Sequence, residues 1–459
     1  MYQIDFSSPS SIYFAGIGGV SMSALAELLA DAGFRVSGSD RAPSALTDVL
    51  ESKGIRVFYG QRAENLTGPI DCVVFTSAIR PDNPEYIAAH ERNLPCLTRG
   101  QLMGQIMRNY ACPIGISGTH GKTTTTSMVS EILMHANLDP TLFVGGILKD
   151  IGGNMRIGKS GYFVTEACEY TNSFLGFAPK IGVILNISAD HLDFFKDLAD
   201  IRHSFRKYAE LLPDDGCLII NGEIENLNEI MDGLCCQAVT FGRSAASDYY
   251  PSDICYDGFG NPSFVLHGPD GKERNFTLQV PGEHNIFNAM AAIALADKLS
   301  IDDAITVDAL KAYRGTNRRF EYKGTIGGVT VIDDYAHHPE AITATLKAAQ
   351  NYPHRKLWCV FQPHTYTRTK AFLKEFAQAL TLADNVVLAD IYSARETDDL
   401  GISSELLQAE IQALGKECHY FPTFDEIENF LLENCINGDM LITMGAGDVV
   451  KIGETLLGK

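Results

Sequence analysis

Basic residues are scarce in this chain of 459 residues: 37 Lys and Arg stand against 57 Asp and Glu, a net charge of -20. A surface of that sign repels nucleic acid and anionic membranes, so neither is an expected partner. An anionic small substrate is still compatible, provided that a few Lys and Arg, helix N-termini or a cation make its site locally positive. No uninterrupted apolar run is long enough to span a bilayer. The opening residues, Met1-Tyr2-Gln3-Ile4-Asp5, lack the basic region and apolar core of a secretory signal. The 11 cysteines are scattered without a Cys-x-x-Cys pair. That fits reduced thiols in a cytoplasmic protein better than a disulfide framework or a zinc site. Internal repeats and low-complexity segments are also lacking.

What is present is an ordinary globular composition, 45% hydrophobic and 20% charged. At about 150 residues per domain, the length suggests roughly three domains. Short apolar runs alternate with helical patterns from end to end. Strands are predicted over 11–15, 34–37, 111–116, 182–185, 329–332, 356–361 and 385–389, and helices over 21–32, 122–136 and 289–296. Such alternation predicts α/β domains with largely parallel sheets. Polar breaks at Arg108-Asn109-Tyr110 and Arg314-Gly315-Thr316-Asn317 divide the chain into 1–108, 109–318 and 319–459.

The most specific motif is Gly118-Thr119-His120-Gly121-Lys122-Thr123-Thr124, between a predicted strand and a predicted helix. Glycines let backbone N–H groups turn inward on phosphates, and the helix N-terminus adds partial positive charge. Lys122 can reach the terminal phosphates of ATP, and the Thr123 hydroxyl can hold Mg²⁺. The general phosphate-loop pattern asks for glycine where this chain has Ile116, but the shorter Gly-Thr-x-Gly-Lys-Thr form is intact. A second glycine loop, Gly16-Ile17-Gly18-Gly19-Val20-Ser21, follows the first strand, with Ser21 in place of a third glycine. Asp40, after the next strand, stands where a ribose-binding acid falls. On its own this loop is compatible with a nucleoside diphosphate or with NAD.

Several further segments stand in the order seen in the Mur ligase family, which the chain resembles over nearly its whole length. They are Thr165-Glu166-Ala167-Cys168-Glu169-Tyr170, Asn186-Ile187-Ser188-Ala189-Asp190-His191-Leu192-Asp193, and Pro281-Gly282-Glu283-His284-Asn285-Ile286-Phe287-Asn288-Ala289. Arg318-Arg319-Phe320-Glu321, Asp333-Asp334-Tyr335-Ala336-His337-His338-Pro339 and Phe361-Gln362-Pro363-His364-Thr365-Tyr366-Thr367-Arg368-Thr369 follow. Met444-Gly445-Ala446-Gly447-Asp448 also looks like the family, although a helix cap and tight turn explain it equally well.

The resemblance implies three α/β domains: a Rossmann-like first domain, a central phosphate-loop ATPase domain and a Rossmann-like last domain. It implies that ATP and Mg²⁺ bind the central domain, with Thr123, Glu166 and His191 as metal ligands. The adenine then falls to His284, Asn285 and Asn288, the terminal phosphate to Arg318 and the ribose to Asp334. The sugar nucleotide would be held by Gly16, Gly18, Gly19, Ser21, Asp40 and Ser77. Tyr335, His337 and Arg368 would receive an amino acid, with Arg368 on its carboxylate. The implied substrates are UDP-N-acetylmuramic acid and L-alanine, joined through an acyl phosphate in peptidoglycan precursor synthesis. Other readings are a family member that adds a recycled tripeptide to the same sugar, an NAD-dependent oxidoreductase, and an ATP-binding protein without catalysis.

Overall fold

The computed structural model describes residues 2–459 apart from Ser77 and Arg395. The expected uridine contact at Ser77 therefore lies outside the described residues.

Four sheets follow one another along the chain. The first holds β1 (Ser11–Ala15), β2 (Arg35–Asp40), β3 (Arg56–Tyr59), β4 (Cys72–Phe75) and β5 (Cys96–Thr98), in the order β3-β2-β1-β4-β5. All its neighbours are parallel. The order reverses between β1 and β4, and ligands of open parallel sheets bind beyond the strand ends at such a point. The Gly16 loop leaves β1 there and leads into helix Val20–Asp31. Strand β2 is longer than the predicted 34–37. Its last residues, Gly38-Ser39-Asp40, are not apolar, and Gly38 is required because a Cβ there would collide with the Phe14 carbonyl.

The central sheet holds β6 (Cys112–Ser117), β7 (Thr141–Leu148), β8 (Gly153–Arg156), β9 (Tyr162–Glu166), β10 (Ile181–Ile184), β11 (Cys217–Asn221) and β12 (Gln237–Phe241). Its order is β12-β11-β10-β6-β9-β7-β8, and only β8 runs antiparallel to its neighbour. Strands β6 and β10 are flanked on both sides and read as nearly continuous apolar runs, as parallel strands covered on both faces must. Helices Lys122–His135 and His284–Lys298 pack against each other. The alanines of the second, Ala289, Ala291, Ala292, Ala294 and Ala296, are buried and permit close approach. This helix starts five residues before the predicted 289, so His284, Asn285 and Asn288 lie in its first turns rather than in a preceding loop.

A three-stranded antiparallel sheet, β13 (Tyr250–Tyr256), β14 (Pro262–His267) and β15 (Glu273–Thr277), was not among the predicted elements. Burial alternates residue by residue along β14 and β15, the pattern of strands with one solvated face.

The last sheet holds β16 (Glu321–Ile326), β17 (Val329–Asp334), β18 (Leu357–Phe361), β19 (Asn385–Leu388), β20 (Cys418–Tyr420) and β21 (Met440–Met444), in the order β16-β17-β21-β18-β19-β20. Strand β16 alone is antiparallel. Apolar side chains cover both faces of this sheet. Strand β17 runs to Asp334, two residues beyond the predicted end, because Asp333 and Asp334 stay in register with Thr443 and Met444 of β21. Among the described residues no helix is long and apolar enough to cross a membrane.

Candidate active site

The phosphate loop is built almost wholly from backbone and from one neighbouring strand end. Gly118 and Gly121 have φ of 137° and 84°, where only glycine is unstrained. A Cβ on Gly118 would come within 2.9 Å of Leu185 Cβ, and one on Gly121 would strike the Asn288 amide. Asn186, just beyond β10, fixes the loop: its Oδ1 accepts from His120 N at 2.8 Å, and its Nδ2 donates to His120 O at 3.0 Å. Thr119 N donates to Asn186 O at 3.0 Å, and Ser188 N to Thr119 Oγ1 at 2.9 Å.

Lys122 Nζ folds back over this loop. It donates to the Gly118 carbonyl, to Thr119 O at 3.2 Å and to Glu169 Oε2 at 2.9 Å. Burial opposes its charge, but Glu169 outweighs that opposition and raises its pKa, so the ammonium stays charged. The family resemblance implies no role for Glu169. Its 2% exposure and its contact with Lys122 make it part of the site. Glu166, at the end of β9, accepts from Gly145 N at 2.5 Å. A side chain on Gly145 would meet both Glu166 carboxylate oxygens, so glycine leaves room for them. His191 has φ of 52°; its Nε2 is 4.0 Å from Glu169 and 3.8 Å from Asp190. Burial lowers its pKa and leaves a neutral imidazole, the form that can ligate a cation.

Asn285 and Asn288 are buried and spend much of their capacity on the protein. Asn285 Nδ2 donates to Pro281 O at 2.8 Å, Asn288 Nδ2 donates to Asn285 Oδ1 at 3.0 Å, and Asn288 Oδ1 accepts from Thr125 Oγ1 at 3.2 Å. They tie the second helix to the helix that begins at Lys122. His284 lines the same cavity, with its pKa pushed down to about 4 by burial.

One cavity of about 1170 Å³ collects most of the expected residues. Thr119, Lys122, Thr123, Glu166, His191, His284, Asn285 and Asn288 line it from the central region. Arg318, Asp334, Tyr335 and His337 line it from the far side. Arg318 is already occupied: its Nε donates to Asp333 at 3.0 Å, its Nη2 to Gly445 O at 2.7 Å, and its guanidinium lies 4.9 Å from the centre of the Tyr335 ring. Arg319 lies 5.2 Å from the same ring and also lines the cavity. Asp334 accepts from Phe320 N at 2.8 Å and Ala336 N at 2.7 Å, and burial raises its pKa.

Arg368 lines an adjoining cavity of about 280 Å³ that shares Asp190 and His191 with the first. Its Nε donates to Asp190 Oδ1 at 3.1 Å, its Nη2 lies 3.0 Å from the same oxygen as an ion pair, and its Nη1 is 3.1 Å from His364 Nδ1. Burial works against the Asp190 charge, but Arg368 holds its carboxyl far below the usual carboxylate range. The loop before Arg368 is held by Glu396, which accepts from Tyr366 N at 2.5 Å and Thr367 N at 3.1 Å. The sequence alone points to no role for Asp190 or Glu396. Their partners lie 178 and about 30 residues away, so spacing carries no signal for them.

The N-terminal glycine loop stands apart from both cavities. Gly16 has φ of 85°, and Gly18 N donates to Asp40 Oδ2 at 2.8 Å. A Cβ on Gly18 would lie 2.8 Å from the same oxygen, so Asp40 clamps the loop itself. Gly19 caps the helix that starts at Val20, with Ser21 exposed in its first turn.

Three segments of the chain match family descriptions in order. Residues 11–111 match "Mur ligase family, catalytic domain", 116–296 "Mur ligase middle domain", and 318–447 "Mur ligase, glutamate ligase domain". The chain is 58% identical to a UDP-N-acetylmuramate–L-alanine ligase of Lachnospira eligens and 56% identical to one of Agathobacter rectalis, covering 100% of both chains in each case. The crystal structure of a UDP-N-acetylmuramate–alanine ligase from Thermotoga maritima is similar at 31% identity, with a TM-score of 0.80 and 98% of each chain covered. A murein peptide ligase from Psychrobacter arcticus is similar at 26% identity and a TM-score of 0.71, again over 98% of each chain. A phosphate loop facing an Arg- and His-lined wall from a third α/β unit, together with full-length relatives of this identity, places the chain in the Mur ligase family.

Proposed function

We propose that this enzyme uses ATP to join L-alanine to the lactyl carboxylate of UDP-N-acetylmuramic acid, a step of peptidoglycan precursor synthesis. The observation that carries this reading is the single large cavity in which the Lys122 loop faces Arg318, Tyr335 and His337. It is supported by the two full-length relatives above 55% identity, both named for that reaction. Residues 1–108 hold the UDP sugar through Gly16, Gly18, Gly19, Ser21 and Asp40. Residues 109–318 hold ATP, and residues 319–459 hold the amino acid. ATP and sugar nucleotides are intracellular, which assigns the enzyme to the cytoplasm.

A free carboxylate is a poor electrophile, and its conversion to an acyl phosphate overcomes this. A lactyl carboxylate oxygen attacks the γ-phosphorus, and ADP leaves. The alanine amine then attacks the activated carbonyl, phosphate departs, and the amine gives up a proton. Lys122 exchanges its loop carbonyls for phosphate oxygens, and the loop N–H groups orient the triphosphate. Arg368 receives the alanine carboxylate with a planar fork. Magnesium fits the residues present: Thr123 and Glu166 offer oxygen, and His191 offers a neutral imidazole, all three lining the same cavity. When bound it would neutralise the charge on the transferring phosphate.

The test is phosphate release by the purified enzyme with ATP, magnesium, UDP-N-acetylmuramic acid and one acceptor at a time. L-Alanine is expected to give the highest kcat/KM. A preference for the tripeptide L-alanyl-γ-D-glutamyl-diaminopimelate would move the enzyme to the recycling branch of the family. Release that ignores the sugar nucleotide would overturn the reading altogether.

A further inference from the structure

His120, His338 and Glu340 each contribute a ligating atom, and these three atoms lie within 4.8 Å of one another. Among the described residues they are the only group of three or more His, Cys, Asp or Glu so placed. They come from two regions: His120 sits in the phosphate loop, while His338 and Glu340 open the helix Pro339–Gln350 that follows β17. The two imidazole rings are 4.7 Å apart between centres, and His120 Nε2 stands 3.5 Å from Glu340 Oε2.

The outer contacts are those that orient ligands. His338 Nε2–H donates to Ala189 O at 2.9 Å, which fixes the tautomer and leaves Nδ1 with its lone pair. That atom receives only a long contact, 3.4 Å, from Glu340 N. Ser188 Oγ donates to Glu340 Oε2 at 2.7 Å and sets the carboxylate. Asn186 pins the His120 backbone on both sides. His120 Nε2 is buried and makes no hydrogen bond beyond its long, 3.5 Å approach to Glu340 Oε2. An imidazole backed by a carbonyl and a carboxylate backed by a hydroxyl are the usual outer shell of a bound transition metal.

We propose that His120, His338 and Glu340 form a second cation site, separate from the magnesium ligands, that takes a zinc-like divalent transition metal. Two imidazoles and one carboxylate suit zinc, whereas magnesium demands an octahedron of oxygens. Ligand atoms of tetrahedral zinc stand roughly 3.2–3.5 Å apart, so the His120–Glu340 pair is in place and His338 must move by under about 1.5 Å. A fourth position stays open to water or a phosphate oxygen. The bound ion ties the phosphate loop directly to the first turn of a C-terminal helix.

The experiment is a zinc titration of the full-length enzyme in excess magnesium, read by competition with a chromophoric chelator and repeated with cobalt for its visible spectrum. One tight site is expected, with a cobalt spectrum free of any thiolate charge-transfer band. Glu340→Gln and His338→Asn should each weaken zinc binding more than about 100-fold, and Ser188→Ala about 10–100-fold. Asparagine retains the N-cap of the helix, so His338→Asn isolates the loss of the imidazole. Ser188→Ala alters no ligand and decides the matter should either of the others fail to fold. Zinc affinity unchanged by these substitutions, or a cobalt spectrum showing thiolate ligation, would overturn the proposal.

Discussion

The phosphate loop and the Arg368 corner, the two anion sites proposed above, are built in opposite ways. The loop takes its shape from two positive-φ glycines and one asparagine clamp, and its donors belong to one strand–turn–helix unit. The Arg368 corner exists only where two regions meet. Its guanidinium is paired with Asp190 across 178 residues, and its loop depends on Glu396 and on Thr365 at φ of 67°. A site of the first kind keeps its geometry when neighbouring domains move. One of the second kind reports their juxtaposition, so acceptor binding there is expected to be coupled to closure around the other ligands.

Substitutions should therefore separate the two regions. The largest effect is expected for Lys122→Ala: a loss of roughly 10²–10³ in turnover, the scale for one preorganised charge-stabilising donor. Its melting temperature should also fall, because Glu169, only 2% exposed, loses its buried partner, so turnover is compared at a temperature where both proteins are folded by circular dichroism. Arg368→Lys comes next. A lost charged hydrogen bond costs about 1.5–3 kcal/mol, or roughly 10- to 150-fold, and should appear in the KM for alanine far more than in those for ATP or the sugar nucleotide. If all three KM values rise together, Arg368 acts by holding Asp190 rather than the acceptor. Asn288→Ala should destabilise the chain by about 1–3 kcal/mol, because Thr125 and Asn285 lose a buried partner. Denaturant unfolding measures that cost, which must appear with a raised KM for ATP if the two helices together shape the adenine pocket.

The effect furthest from catalysis lies at the far end of the phosphate-loop helix. Burial, aided by the neighbouring Asp150 carboxyl, pushes Glu131 up to about 8 from an ordinary 4.5. The folded state holds that proton more tightly than the unfolded state. The stabilisation is thus fully present below about pH 4.5 and is lost as pH rises through about 8. Glu131→Gln should flatten the pH dependence of thermal stability over that window. A dependence unchanged in the variant would assign it to other groups.

The same contrast governs how much the sequence revealed. Strand 11–15 coincides with β1, and helix 122–136 ends one residue from the observed helix, because apolar periodicity and glycine punctuation act locally. The Lys122 loop was legible for the same reason. Strand β17 was cut short at 332 because two aspartates look like a loop. They stay in the strand since Thr443 Oγ1 donates to Asp333 at 2.7 Å and backbone amides satisfy Asp334. The sheet β13–β15 is not legible in the sequence because its strands are half polar and form no continuous apolar run. Glu169, Asp190 and Glu396 gained roles only through partners distant in sequence, which no spacing encodes. The family likeness supplied the acceptor residues, and the residues themselves supplied the loop.

The central claim is that the sugar carboxylate is activated by phosphoryl transfer before the amine attacks. UDP-N-acetylmuramic acid labelled with ¹⁸O in both lactyl carboxylate oxygens tests it directly, with unlabelled ATP, magnesium and L-alanine and mass spectrometry of the released phosphate. One labelled oxygen is expected in each phosphate and one retained in the new amide. Unlabelled phosphate would show that ATP is hydrolysed by water, and would contradict the account.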